Sequence, residues 1–409
     1  MNSQALPAAK PPSRSRGGRV LWSAVAAFTA ITLPTFMVGT LAVQMRAELR
    51  FTPTQLGLVV GASYAASTLF AIPSGNLAEQ FSGVRMLRYS AIAGAVAMGL
   101  IATVVESWPE LAGALFLAGA AGASGQTASN LVLARRIDPA HQGVAFGIKQ
   151  SAVPLAFLLG GLAVPAVALT VGWRWAFAGA AVVALAAAMW VPRPRISIGA
   201  QRAAPRARHE PTGPLIALAI GFGLTLTACS SLGAFLVLAA VSTGLSSVGA
   251  GLVAVLVSVC GIAVRVGVGL LADRRGGRHL LLVVRMITVG ALGFGALAVG
   301  SWLRLPGLFI LGAAVAFGIG WGWNGLFNFA VVQSHPHHPA RATGITQTGG
   351  RLGSVLGPLV FGVMVEHVGY TGAWGLAAGE AALGATTLLL GRRMLRERIR
   401  REASAPGPG

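Results

Sequence analysis

Long apolar stretches, each closed by a short polar or Pro/Gly-rich interval, fill the chain from residue 20 to residue 391. Crossing the hydrocarbon layer of a bilayer takes roughly 20 apolar residues in helical form, since no water is there to satisfy main-chain N–H and C=O groups. Cutting the chain at its polar breaks predicts twelve such helices, over 20–42, 54–76, 87–105, 109–133, 143–170, 174–191, 214–238, 247–272, 280–300, 306–331, 341–365 and 372–391. One break is much longer than the rest: residues 192–213 (PRPRISIGAQRAAPRARHEPTG), rich in Pro and Arg, divide the helices into two sets of six. The expected organisation is a tail over 1–19, a six-helix bundle over 20–191, a linking loop over 192–213, a second bundle over 214–391 and a tail over 392–409.

The two sets repeat one another. GNLAEQFSGVR (Gly75–Arg85) returns 194 positions later as GLLADRRGGRH (Gly269–His279), each time where an apolar run ends. Gly75 then aligns with Gly269, Glu79 with Asp273 and Gly83 with Gly277. GIKQSAVP (Gly147–Pro154) and GITQTGGR (Gly344–Arg351) form another pair, offset by 197. Internal symmetry of this kind is the sequence signature of a secondary transporter built from two halves. The predicted fold class is an all-α membrane protein with twelve transmembrane helices in two pseudo-symmetric six-helix bundles.

Composition sharpens the picture. A mean hydropathy of +0.72, with 55% hydrophobic and 10% charged residues, excludes a soluble globular chain, in which about 25% of residues are charged. The formal net charge of +20 raises nucleic acid as a partner, but the basic residues are spread among loops. With both termini in the cytoplasm, only Arg46, Arg50, Arg174 and Arg304 fall in loops on the opposite face, as the positive-inside bias requires. A multi-pass cell-membrane protein that does not bind nucleic acid is expected. The first apolar run follows RSRGGR (Arg14–Arg19) but is too long for a signal-peptide core and lacks a clear cleavage site, so it reads as the first membrane helix.

Several chemistries are set aside. Cys229 and Cys260 lie in predicted helices and form no metal or redox motif. His335, His337 and His338 lie in a loop marked by Pro336 and Pro339, with no fourth ligand nearby, so no metal is expected. There is no Walker-type phosphate loop, so ATP does not drive the protein through its own chain, and no cofactor is implied. No acid, His and nucleophile converge as an enzyme would need.

The twelve spans, the two halves and the doubled loop motif together resemble the major facilitator superfamily over nearly the whole chain. The motif is Gly, three residues, acid, three residues, Gly, then a basic residue. Here it is Gly75, Glu79, Gly83 and Arg85, and again Gly269, Asp273, Gly277 and Arg278. The resemblance implies that these loops latch the halves together on the cytoplasmic side through acid-to-basic contacts, with Glu79 in place of the family's usual aspartate. It also implies alternating access by a monomer. WRWAF (Trp173–Phe177) looks like the aromatic turn that follows the fifth helix in this superfamily.

Lys149, Arg265 and Arg351 fall inside predicted spans. A charge at that depth costs about 2.5–3.5 kcal/mol even on insertion scales and usually faces a cavity. All three lie on the order of 9–15 Å from the cytoplasmic helix ends, a distance from which long side chains also snorkel. Arg265 and Gly269 are similar to the helix-eight pattern of monocarboxylate transporters, whose arginine pairs with the substrate carboxylate. A guanidinium offers paired donors that match a carboxylate. Glu380 is the one acid clearly at depth, with Glu366 near the outer end of the eleventh helix. Excess positive charge favours an anionic substrate; Glu380 is the candidate proton carrier or, alternatively, an internal partner of one arginine.

Gln126 with Asn130 and Asn324 with Asn328 are i,i+4 pairs, Gln150 and Gln347 are repeat mates, and Tyr64 lies mid-helix. These either complete the site or make interhelical hydrogen bonds worth about 0.6 kcal/mol each. Trp321 and Trp323 read as packing, Gly349, Gly350, Gly353, Gly357 and Gly362 as a close-packing surface, and Pro34, Pro154, Pro165 and Pro358 as kinks. The expected protein is a secondary transporter of a small, monocarboxylate-like organic anion, held by Arg265 and Arg351 with Lys149 in support. The alternative is a proton-coupled exporter of drugs or other amphipathic compounds. Drug antiporters of the superfamily carry an arginine in helix four and a Gly-Pro-x-x-Gly-Gly pattern in helix five. Here AGALFLAGAAG (Ala112–Gly122) is uncharged, and Pro154 lies well ahead of Gly160 and Gly161.

Overall fold

The computed structural model describes residues 14–137, 142–192, 213–274, 279–335 and 339–404, and regular structure among them is helical throughout. Most of the linking loop, both chain ends, Gly277, Arg278, His337 and His338 lie outside the described residues, as do the side chains of Glu79 and Asp273.

In the first half, α1 (Arg14–Thr40) makes the first crossing and is followed by a short helix, α2 (Ala42–Leu49). The second crossing is α3 (Pro53–Leu69) with α4 (Ala71–Gln80), bent by 43° at their junction. Next come α5 (Gly83–Thr103) and α6 (Trp108–Arg136). The fifth crossing is broken: α7 (Gln142–Gln150), α8 (Ala152–Ala163) and a π-helical turn, Val164–Ala168, ahead of α9 (Trp173–Trp190). In the second half α10 (Gly213–Ser242), α11 (Ser247–Arg274) and α12 (His279–Trp302) are continuous. The tenth crossing consists of α13 (Pro306–Ala314), a π-helical turn, Val315–Ile319, and α14 (Asn324–Ser334). α15 (Pro339–Ser404) holds the last two crossings, which meet at Gly369.

Among the described residues, nine helices are long and apolar enough to span a membrane, or ten with the bent pair, and one of these, Arg341–Glu397, contains two crossings. α6 is long enough but more polar, because Gln126, Thr127, Ser129 and Asn130 interrupt it. The expected kinks at Pro154 and Pro165 coincide with the α7–α8 break and the first π turn, whereas Pro34 and Pro358 sit within unbroken helix.

The halves keep their ancestral register in three dimensions. Left-handed turns occur at Arg50 (φ 52) and, 194 positions on, at Gly244 (φ 99); Gly172 (φ 102) and Gly369 (φ 69) are likewise 197 apart. Positive φ suits glycine because it has no Cβ to clash. An even number of crossings puts Arg14 and Ser404 on one face, here called the terminal face; the opposite one is the far face.

The bundles touch most closely towards the far face. A Cβ on Gly39 would strike the carbonyl of Gly233, its own repeat mate in α10. Gly57 in α3 lies against the Pro358 carbonyl in α15, and Gly251 in α11 against the Gly161 carbonyl in α8. Gly57 and Gly251 are 194 apart and Gly161 and Pro358 are 197 apart, so the pseudo-two-fold exchanges these contacts while the Gly39–Gly233 contact maps onto itself. Water is not there to drive helices together, so close backbone approach through small residues carries much of the association. Within the second bundle, Gly349 and Gly353 of α15 lie in the same way against Ala219 and Gly223 of α10.

Polar ties trim the far face. The Glu366 carboxylate accepts from the Thr54 main-chain N–H at 3.0 Å, joining α15 to the exposed start of α3 across the bundles. That start is also closed by a Thr52–Gln55 capping box with Pro53 in the first turn. Within the first bundle, Glu48 accepts from Arg174 Nη2 at 2.7 Å and from Trp173 Nε1 at 2.7 Å. The Arg174 donors, with Trp173 adding to them, hold the Glu48 carboxyl below the usual carboxylate range.

Two outcomes are expected. Gly39→Val forces the bundles apart and costs about 1–3 kcal/mol as overpacking, while Gly99→Ala, with open space around it, is neutral; thermal unfolding of detergent-purified protein ranks the two. Because the folded-state pKa of Glu48 is depressed, its contribution is fully present above the unfolded value of about 4.3 and is lost as pH falls through the folded value. For an exposed pair this is about 0.2–1 kcal/mol. The stability gap between native protein and Glu48→Gln is therefore expected at pH 7 and expected to shrink as pH falls below about 4.

Candidate functional site

A cavity of about 270 Å³ lies between the bundles, on the terminal side of the glycine contacts. Every wall traces to a helix already placed. α1 contributes Phe28, Thr32, Thr35 and Phe36; α3 contributes Ser63, Tyr64 and Ser67; α6 contributes Gln126 and α7 Gln150. From the second half come Phe222 of α10, Arg265 of α11, Trp321, Asn324 and Asn328 of the tenth crossing, and Gln347, Arg351 and Ser354 of α15. No carboxylate is among the described lining residues.

The two guanidiniums sit where helices break. The π turn and the Gly320–Trp323 interruption leave carbonyls of the tenth crossing outside the regular helical ladder. Arg265 Nη2 donates to one of them, Trp321, at 3.0 Å, while Nη1 donates to Gly261 one turn back on α11 at 3.1 Å. The neighbouring Gly320 carbonyl takes the Trp323 indole N–H at 2.5 Å. Arg351 Nη1 crosses between bundles to the Ser67 carbonyl at 2.9 Å. Ser67 lies near the end of α3, where last-turn carbonyls lack helical partners. Neither arginine is ion-paired with a described carboxylate, and each keeps donors beyond those spent on the main chain.

Amides form a row on one side: Gln347 Nε2 donates to Asn328 Oδ1 at 2.7 Å, and Asn328 Nδ2 to Asn324 Oδ1 at 3.4 Å. Thr35 and Ser63 share a hydroxyl hydrogen bond of 2.8 Å. Towards the far face four aromatic rings close a loop, two from each bundle. Phe36 meets Phe157 edge-on at 6.2 Å, Phe157 stacks on Phe317 at 5.0 Å, Phe317 meets Trp321 at 5.2 Å, and Trp321 returns to Phe36 at 6.0 Å. Gly233 makes room for the Phe36 ring.

Eight of the ten residues singled out from sequence line this cavity: Arg265, Arg351, Gln150, Gln347, Asn324, Asn328, Gln126 and Tyr64. Lys149 and Asn130 are not on its wall. Lys149 is fully buried, its Nζ donating to Asn130 Oδ1 at 3.1 Å and lying 4.0 Å over the ring of Phe28, itself a lining residue of the cavity. The bond joins the two groups to each other, and Phe28, not either of them, lines the cavity. Glu380, in the last crossing, is also off the wall and makes no ion pair with either arginine. Trp323 packs between Phe222 and Phe327 as expected, but Trp321, read as packing, faces the cavity. Of the loop motif, Gly75 is in open space, Gly83 packs on α6, and Arg85 is exposed with its N–H on the Ser82 cap; Gly269 faces Gly147 across the bundles. Sequence reasoning missed Thr32, Thr35, Ser63, Phe28 and Phe36, since hydroxyls and phenylalanines are too common in membrane helices to stand out.

The description Major Facilitator Superfamily belongs to the family model that matches residues 23–338 and again 218–408. The chain belongs to the major facilitator superfamily. It is a membrane transporter of a small molecule and not an enzyme. No curated protein matches it in sequence. Among solved structures it is similar to the nucleoside transporter NupG, crystallised as a single-substitution mutant: TM-score 0.72 and 16% identity, covering 91% of this chain and 99% of that one. At that identity the likeness shows the shared fold.

If Lys149 and Asn130 are a buried pair rather than cavity groups, Asn130→Ala strands an ammonium and is expected to lower stability by about 1–3 kcal/mol. Lys149→Met removes the group in need of a partner and is expected to cost less. Thermal unfolding of the two purified variants checks the order, and the reverse ranking refutes the pairing.

Proposed function

We propose that the protein carries a small organic anion, of the monocarboxylate kind, across the cell membrane by alternating access of its two bundles around the central cavity. The observation that supports this is two guanidiniums lining one cavity, with no carboxylate among the described lining residues to neutralise them. An anion then supplies the missing charge, and paired N–H donors fit a carboxylate. Arg265 and Arg351 bind the substrate; Gln126, Gln150, Gln347, Asn324, Asn328 and Tyr64 orient it; Lys149 and Asn130 support the wall through Phe28.

The basic loops set both termini in the cytoplasm, with bundles over 20–191 and 214–391 joined there by residues 192–213. Gly75, Glu79, Gly83 and Arg85, with Gly269, Asp273, Gly277 and Arg278, latch the cytoplasmic side when the cavity opens outward. A monomer suffices, since each chain holds both halves. If protons are coupled, Glu380 carries them.

A second reading, a nucleoside-like solute, draws on the aromatic wall of Phe28, Phe36, Phe222 and Trp321 beside amides suited to base edges, and on the fold shared with a nucleoside transporter. The exporter reading gains nothing from α6, whose cavity residues are Ala118, Gly119, Gly122 and Gln126.

Uptake of labelled carboxylates and of labelled uridine into proteoliposomes, at several pH gradients, separates the readings. Saturable carboxylate uptake is expected, falling about 10- to 100-fold in Arg351→Gln and in Arg265→Gln, the scale of a lost charge-assisted hydrogen bond. Uridine uptake without carboxylate uptake, by folded protein, overturns the anion reading.

A further inference from the structure

A separate groove of about 940 Å³ opens at the terminal face of the first bundle, where four helix ends converge. Arg19 comes from the start of α1, Arg88 from the second turn of α5 and Arg136 from the last residue of α6; Val191 and Pro192 follow α9. No carboxylate is among the described lining residues. Arg88 is anchored, its Nη2 donating to the Val191 carbonyl at 2.6 Å, yet its Nε is buried without a partner. Arg19 and Arg136 are exposed. The groove therefore presents three cations from three helices, one of them already oriented by a main-chain carbonyl.

Its outer flank is apolar. Leu185, Met189 and Trp190 are 43%, 76% and 46% exposed on the last turns of α9. α9 is a crossing of 18 residues, so its end lies at the boundary of the hydrocarbon layer, where tryptophan prefers to sit. A soluble anion has no use for that flank, whereas a lipid has: its phosphate meets the arginines and its acyl chains run along Leu185 and Met189. Basic pockets between helix ends at this level suit anionic headgroups.

We infer that this groove is a binding site for an anionic phospholipid, whose phosphodiester is held by Arg19, Arg88 and Arg136. The site is remote from the transport cavity, shares no lining residue with it, and stands whichever solute the protein carries.

Native mass spectrometry of the detergent-purified full chain, offered phosphatidylglycerol, phosphatidylcholine or glycerol 3-phosphate, tests it. One phosphatidylglycerol is expected to be retained at least five-fold more than phosphatidylcholine, and glycerol 3-phosphate not at all. The double variant Arg19→Gln/Arg136→Gln, which keeps the anchored Arg88, is expected to lose that preference, while Arg304→Gln at the far face keeps it. Equal retention of the two lipids, retention unchanged in the double variant, or equal binding of glycerol 3-phosphate each overturns the inference; the last assigns the arginines to a soluble phosphoester. Thermal unfolding of the same samples identifies a misfolded variant, in which case the single Arg136→Gln decides by the same criteria.

Discussion

Everything in this molecule depends on how closely two backbones approach where no side chain stands between them. At Gly39 and Gly233, at Gly57 and Pro358, and at Gly251 and Gly161, one helix lies directly on the carbonyl of another. In a solvent as apolar as the helices themselves, such contacts replace the hydrophobic effect as the source of association. They are concentrated towards the far face, and the loop of Phe36, Phe157, Phe317 and Trp321 lies just beneath them. Nearer the terminal face Phe28 and Phe222 stand as cavity walls instead, so the void opens below a closed seam. The symmetry of the contacts means that one rotation of half against half loosens all three.

The second constraint is that a guanidinium at membrane depth needs acceptors. This protein supplies them from its own main chain, at the interrupted tenth crossing for Arg265 and at the end of α3 for Arg351. Breaking a helix in hydrocarbon is tolerated only where the freed groups are answered, and here breaks and arginines answer one another. The result, among the described residues, is charge without a paired carboxylate, held in place by neutral carbonyls at the cavity. Arg351 also ties α15 to α3, across the two bundles. Lys149 follows a different logic, its ammonium spent on Asn130 and the face of Phe28.

Much of the architecture was legible from order alone. Twelve apolar runs, one long polar break and offsets of 194 and 197 predict the crossings and their pairing, because a span of hydrocarbon fixes helix length and duplicated sequence folds twice in the same way. The left-handed pairs at Arg50 and Gly244, and at Gly172 and Gly369, show that register surviving in the backbone. Cavity-lining residues stood out where they broke the apolar rule: Arg265, Arg351, Gln126, Gln347 and Asn328 are polar groups that lipid does not tolerate. Thr35, Ser63 and Phe36 break no rule, and nothing in their local sequence separates them from packing residues elsewhere.

By itself, then, the sequence determined the number of crossings, their division into two related halves, the family and the positions too polar to face lipid. Only the tertiary structure decided which of those positions share a cavity. It turned Lys149 and Asn130 towards each other and Trp321 towards the void, and it gathered Arg19, Arg88 and Arg136 from three helices into one groove. The physical reason is that burial in a membrane protein is a property of a side chain's direction: helical phase and the angle between packed helices fix it, and neither is written in the polarity of a single residue.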